Sequence, residues 1–106
     1  MHEYHVIKQK LVPVLTDAGL REVVADRSLD VYGSVHSIFA SDAARIMLGW
    51  DGEEGFGYAE AWEGNDTWRM LESKVPEGPA PEFEPNLEAL ARELSQHLRA
   101  AIGGAP

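Results

Sequence analysis

An apolar stripe at helical spacing lies near the end of the chain, and it needs a second apolar surface to pack against. Because side chains three and four residues apart share one face of an α-helix, the stripe predicts an amphipathic helix over residues 86–102. Pro85 suits the first helical position, and Gly103 and Gly104 suit the end of the helix. The stripe consists of Leu87, Leu90, Ala91, Leu94, Leu98, Ala101 and Ile102.

A similar stripe lies at the start of the chain and predicts a helix over residues 3–18. Gly19 follows it as a stop signal. Pro13 lies inside the pattern, and because proline removes a backbone donor we expect the helix to be kinked or split there. The apolar positions are Ile7, Leu11, Val14, Leu15 and Ala18.

The residues between the two helices have the composition of β-strands joined by turns. Runs of β-branched and aromatic residues predict strands, and clusters of glycine and acidic residues between them predict tight turns. A proline-rich segment at 76–85, with four prolines, predicts an extended connector to the last helix. The predicted strands cover about 21–27, 30–40, 44–50, 56–62 and 67–75.

This order of elements predicts a single domain with an α+β fold. Consecutive strands with short turns pair antiparallel, so we expect a meander of four to five strands in a two-layer sandwich. Both the N-terminal and the C-terminal helix would cover one face. The small residues Gly57, Ala59 and Ala61 are assigned to the helix side, with Tyr58 and Trp62 on the open face; a shift of register by one residue would exchange the two faces.

The formal net charge is −9, and the whole excess lies in residues 22–83, which hold four basic and thirteen acidic residues. This balance disfavours nucleic acid and anionic membranes as partners, because both need Lys and Arg. A basic protein partner remains possible. The chain has no cysteine, no secretory signal pattern and no apolar run of membrane-spanning length, so we expect a cytoplasmic protein without disulfides.

The sequence carries no recognisable catalytic, cofactor or metal motif. The acidic stretch 51–56 fails the calcium-loop pattern, because Gly55 and Phe56 occupy its fifth and sixth places. His2 and His5 have helical spacing, but no second pair of ligands accompanies them. Nucleotide-binding glycine loops and nucleophile motifs are missing as well. The prediction is therefore a non-enzyme that needs no cofactor and no metal.

The acidic and aromatic residues of the stretch "WDGEEGFGYAEAWEG" and its neighbours then have two interpretations. They can keep a small domain in solution and fill its core, or they can form a recognition face with aromatic anchors and acidic steering groups. The candidate partner-binding residues are Asp51, Glu53, Glu54, Tyr58, Glu60, Trp62, Glu63 and Asp66.

The unit "RIMLGWDGEEGFGYAEAW" at 45–62, with a helix at each end of the chain, resembles the small, acidic, cysteine-free α+β proteins that bacteria use as toxin-neutralising immunity proteins. The resemblance implies a dedicated basic partner, such as a toxin domain, held through the acidic face. The size and charge are also similar to those of secretion chaperones, although their order of helices and strands differs.

The leading hypothesis is a non-enzymatic protein-binding domain that presents an acidic, aromatic sheet surface to a basic protein. One alternative is a small-ligand-binding or enzymatic domain built around Glu60, whose position between Tyr58 and Trp62 could raise its pKa. Another is a structural protein that forms a homodimer through the open sheet face.

Overall fold

The computed structural model describes residues 2–102. Along the chain, one helix precedes the strands of an antiparallel sheet and one helix follows them. The expected α+β fold and meander are confirmed. The strands pair in the order β1-β2-β3-β4-β5, and a two-residue strand β6 also pairs with β4. The elements are α1 (Glu3–Asp17), β1 (Arg21–Ser28), β2 (Val35–Ala40), β3 (Arg45–Asp51), β4 (Phe56–Trp62), β5 (Trp68–Met70), β6 (Val75–Pro76) and α2 (Phe83–Ile102).

Both helices pack on the same face of the sheet. Gly57 lies directly under α1, since a Cβ atom on it would sit 2.3 Å from Cδ1 of Ile7. Ala59 and Ala61 are fully buried in the same core as the leucines of α2. The small side chains of β4 therefore face the helices, which lets the helix layer approach the sheet closely. The core is formed chiefly by Ile7, Leu11, Leu15, Phe39, Ile46, Leu48, Trp50, Leu87, Leu90, Leu94 and Leu98.

Strand β2 begins at Val35, five residues later than the predicted strand over 30–40. The residues before it form a turn, because Oδ1 of Asp30 accepts hydrogen bonds from the backbone N–H groups of Tyr32 and Ser34. Gly33 has a φ of 86°, in the left-handed region that glycine adopts without a steric penalty. Val31 and Tyr32 have strand-like side chains but belong to this turn.

The predicted strand over 67–75 is two short strands, β5 and β6, separated by an irregular segment. In that segment the carboxylate of Glu93 on α2 accepts hydrogen bonds from the backbone N–H groups of Glu72 (2.8 Å) and Ser73 (2.9 Å). These donors are therefore bonded to the helix rather than to β4.

The helices differ from expectation at proline. Helix α1 is not split at Pro13, which is exposed, so the helical carbonyl that loses its donor can be solvated. Helix α2 begins at Phe83, which places Pro85 in its first turn, where backbone donors have no helical partner. The predicted stop at Gly103 and Gly104 lies outside the described residues. Neither helix within residues 2–102 is long and apolar enough to cross a bilayer.

Candidate functional site

The sheet face opposite the helices is not covered by any helix or strand of the described chain. One row of side chains crosses this uncovered face from β1 to β5, because the strand register pairs each residue with the next. Four of the five are apolar, and the fifth, Glu60, is the only ionisable group in the row. The row consists of Val24, Ile38, Met47, Glu60 and Met70.

Aromatic side chains flank this row on the same face. The ring of Trp62 packs edge-on against Trp68, with centroids 5.2 Å apart. The guanidinium of Arg45 lies 5.4 Å from the ring of Trp62, within the range of a cation–π contact. Tyr58 lies on the other side of the row, next to Phe56. The uncovered face is therefore rich in the residue types that anchor protein interfaces.

The charges on the uncovered face are mixed rather than acidic. Register places Arg21 beside Ala40 and Arg27 beside His36, on the same side of the sheet as Arg45. These three arginines share the face with two carboxylates, Asp51 and Glu60. The net charge of −9 is thus located elsewhere on the molecule.

Glu60 makes no hydrogen bond or ion pair with another described residue. Burial among its apolar neighbours raises its pKa above the usual value of 4.5. Burial also raises the pKa of Tyr58, and the charges of Glu60 and Asp51 add to that effect. Cavities of about 270 to 440 Å³ lie between the two helices, beside the β2–β3 turn, and near His5, and Glu60 lines none of these three.

A second candidate surface lies at one end of the sheet, where two turns touch. The backbone N–H of Gly52 in the β3–β4 turn donates to Oγ of Ser34 in the β1–β2 turn (2.8 Å). A Cβ atom on Gly52 would lie 2.1 Å from the carbonyl oxygen of Tyr32. Only glycine permits this contact. The tip surface, as we call it, consists of Leu29, Val31, Tyr32, Glu53 and Glu54.

Three large apolar side chains are exposed on the tip surface. Val31 is 93% exposed, Tyr32 57% and Leu29 46%. Glu53 and Glu54 lie in the adjoining turn, and the backbone N–H groups of both donate to Oδ1 of Asp51 (3.0 and 2.9 Å). Side-chain caps thus fix the shape of both turns, while the apolar groups and the two carboxylates remain free to meet a partner.

Further carboxylates lie next to the tip surface. The side chain of Glu77 packs against Gly55, where a Cβ atom would be 2.9 Å from its Oε1. The carboxylate of Glu3 accepts from the backbone N–H of Gly78 (3.0 Å). None of the ion pairs in residues 2–102 involves Glu53, Glu54 or Glu77. The carboxylates at this end of the molecule therefore form no ion pair within the described residues.

The eight residues proposed from the sequence do not form one surface. Asp51, Glu53 and Glu54 lie at the tip end, whereas Glu63 and Asp66 lie at the opposite end of β4, roughly 20 Å away for a seven-residue strand. Glu63 is also paired with Arg69 (2.7 Å). Tyr58, Glu60 and Trp62 lie between the two ends, on the uncovered face.

Leu29, Val31 and Tyr32 are absent from the binding residues predicted from the sequence, because their side chains suggested a strand. The available signal was Asp30 followed three residues later by Gly33, a spacing typical of a turn.

A polar network, buried at Tyr4 and Ser37 and open to solvent at Asp26, joins α1 to β1 and β2. The hydroxyl of Tyr4 donates to Oγ of Ser37 (2.6 Å), and Ser37 donates to Oδ1 of Asp26 (2.9 Å). Lys8 pairs with Asp26 and Glu22, both at 2.7 Å. Burial raises the pKa of Tyr4 to about 12, and Ser37 is fully buried. The network links the helix layer to the edge of the sheet, and Tyr4 and Asp26 also line the cavity near His5.

The described residues contain no group of three or more His, Asp or Glu side chains placed to hold a metal ion. No family model, curated protein or solved structure matches the chain.

Proposed function

We propose that this chain is a non-enzymatic protein-binding domain that recognises a basic partner protein through its tip surface. The observation that carries this proposal is the contact between the two turns, which sets exposed apolar side chains beside unpaired carboxylates. The resemblance to bacterial immunity proteins suggests a cytoplasmic protein whose partner is a basic toxin domain.

The apolar part of the tip surface supplies the anchors. An exposed Tyr or Val that enters a pocket on a partner loses contact with water, and such residues often dominate binding energy. Both turns already hold their shape through Asp30 and Asp51, so little conformational entropy is lost when a partner binds. The expected epitope on the partner is an apolar pocket that accepts Val31 and Tyr32.

The acidic part supplies orientation and a fast encounter. Glu53, Glu54 and Glu77 have no cationic partner among residues 2–102, so their field extends into solvent. A surface of this kind attracts lysines and arginines and raises the association rate. The partner's pocket should therefore have a basic rim.

The proteins encoded by the two flanking genes are the probes that test this proposal, each titrated against the purified chain by surface plasmon resonance. In the double variant Glu53→Lys and Glu54→Lys we expect an association rate at least about tenfold slower, because two attractive charges become repulsive. Asp51 is left unchanged, since it holds the turn. The control variant, Asp42→Lys with Glu72→Lys, makes the same change in net charge at exposed positions away from the tip.

A third variant, Tyr32→Ala, tests the anchors, and we expect faster dissociation and an affinity loss of roughly tenfold or more. Binding of either probe that is lost in the tip variants and kept in the control supports the proposal. Absence of binding to both probes, or equal losses in tip and control variants, would overturn it.

A further inference from the structure

We infer that the uncovered sheet face is the interface of a symmetric homodimer, whose other half is a second copy of this chain. This inference is independent of the tip surface, which lies at the end of the sheet rather than on its face. It is based on the apolar content of the face, its extent and the arrangement of its charges.

The side chains of the uncovered face match the centre of a protein interface. Met47 and Ile38 lie mid-sheet, and the pair Trp62–Trp68 lies beside them. None of these four belongs to the buried core on the helix side. Interface centres are enriched in aromatic residues and Met.

The extent of the face fits a small dimer if the whole face is used. Strands β1 to β4, which have six to eight residues and lie about 4.8 Å apart, and the three-residue β5 cover at most roughly 20 Å by 20 Å, or about 400 Å² before the relief of the side chains is added. A standard interface buries about 800 Å² on each partner. Two copies would therefore have to pack sheet against sheet, with the central row of each inside.

The charges explain why a second copy fits better than a basic protein. Three arginines, Arg21, Arg27 and Arg45, would repel a basic partner here, whereas a second copy also presents Asp51 and Glu60 to them. Two copies of a molecule with net charge −9 repel each other, but the acidic excess is absent from this face. The repulsion that remains acts over distances that salt screens, since the Debye length is about 8 Å at physiological ionic strength.

The face is also complementary to itself. Arg45 and Glu60 lie on adjacent strands on the same side of the sheet, and they form no ion pair within the chain. A two-fold axis that lies between two facing copies, parallel to their faces, brings residue i of one copy to residue j of the other, and j to i. Arg45 can then meet the partner subunit's Glu60 twice, which gives the unpaired Glu60 carboxylate a cation once the face is covered.

Sedimentation equilibrium of the purified chain, from about 1 µM to about 500 µM, tests this inference. We expect a monomer–dimer equilibrium in the wild type, weakened at least about tenfold in Arg45→Glu and in Glu60→Arg, and largely restored in the double charge-swap variant. The matched controls are Arg92→Glu and Glu82→Arg, which make the same charge changes at exposed positions away from the face and from the tip surface. Far-UV circular dichroism verifies that every variant is folded.

Salt gives a second readout that separates this inference from the proposed function. Dimerisation of two acidic copies should strengthen from about 0.05 M to about 0.5 M salt, whereas binding of a basic partner at the tip should weaken. A wild type that remains monomeric at the highest concentration would overturn the inference. So would dimers that the control variants weaken as much as Arg45→Glu, or a double swap that restores nothing.

Discussion

The ring of Tyr58 lies across Gly49 on the neighbouring strand, so closely that a Cβ atom on Gly49 would sit 2.2 Å from Cζ of Tyr58. This contact explains why Tyr58 is only 9% exposed although no helix covers its side of the sheet. Glycine thus creates a slot in which an aromatic ring lies flat on the strand.

Replacing this glycine should displace the ring. In Gly49→Ala the new methyl group clashes with Tyr58, and we expect the free energy of unfolding to fall by about 1–3 kcal/mol, the usual cost of overpacking. Urea denaturation measures this change. The cost should largely disappear in a Tyr58→Ala background, because the clash is then absent. Equal costs in both backgrounds would show that the ring is not responsible.

The ion pairs of Lys8 should make stability depend on acid. Its hydrogen bond holds the pKa of Asp26 below the usual 3.8; burial opposes this effect, and the hydroxyl of Ser37 adds to it. A carboxyl group with a lowered pKa stabilises the fold above its unfolded-state pKa, and this contribution is lost as pH falls through the folded-state value. We expect Lys8→Met to lower the free energy of unfolding at pH 7 by under about 1 kcal/mol, since Asp26 is half-exposed.

The difference between wild type and Lys8→Met should shrink at pH 3, where the carboxylates become protonated. Lys10→Met is the control, because it removes the same charge from α1 but breaks only the exposed pair with Glu88. Urea unfolding at both pH values checks the prediction. A Lys8→Met effect that stays constant with pH, or that equals the effect of Lys10→Met at each pH, would contradict it.

Periodicity was sufficient to predict the layers of the fold. The stripe from Leu87 to Leu98 needs a single apolar surface, and the alternation in β4 assigns Ala59 and Ala61 to it because small residues permit close helix packing. The order helix, meander, helix follows from these two patterns. The same alternation predicted that Tyr58 and Trp62 would lie on the opposite face.

Features that depend on contacts between distant segments could not be predicted in the same way. The break between β5 and β6 depends on Glu93, about twenty positions further along the chain. Contact of the two turns depends on Gly52 and Ser34, which are separated by eighteen positions. The acidic residues are divided between the two ends of the sheet because the seven residues of β4 lie between the turn that precedes it and the turn that follows it. Asp51 and Asp66 belong to one acidic stretch of the sequence, but in the fold the full length of β4 separates them.

The link from α2 to the irregular segment after β5 can be tested at Glu93. Burial alone would raise the pKa of Glu93, but the backbone donors of Glu72 and Ser73 outweigh it and hold the pKa below 4.5. We expect Glu93→Ala to lower the free energy of unfolding by about 1–2 kcal/mol, because two backbone donors lose their acceptor. Amide hydrogen exchange should become faster at Glu72 and Ser73, while that of β3 should not change.

Glu88→Ala, on the same helix, is the matched control, and equal effects of the two variants would rule out the proposed link.

Glu60 should behave in the opposite way to Asp26. Burial raises its pKa above 4.5, so the folded protein holds this proton more tightly than the unfolded chain. Its favourable contribution is present below the unfolded-state pKa and is lost as pH rises through the folded-state value, which leaves a cost at pH 7. We therefore expect Glu60→Gln to raise the free energy of unfolding at pH 7 by under about 1 kcal/mol and to have little effect at pH 3. Urea unfolding at about 1 µM protein, where the proposed dimer is dissociated, measures this change, with Glu53→Gln in the exposed turn as control. A loss of stability at pH 7, or the same gain at both pH values, would show that burial of the charge is not what distinguishes this position.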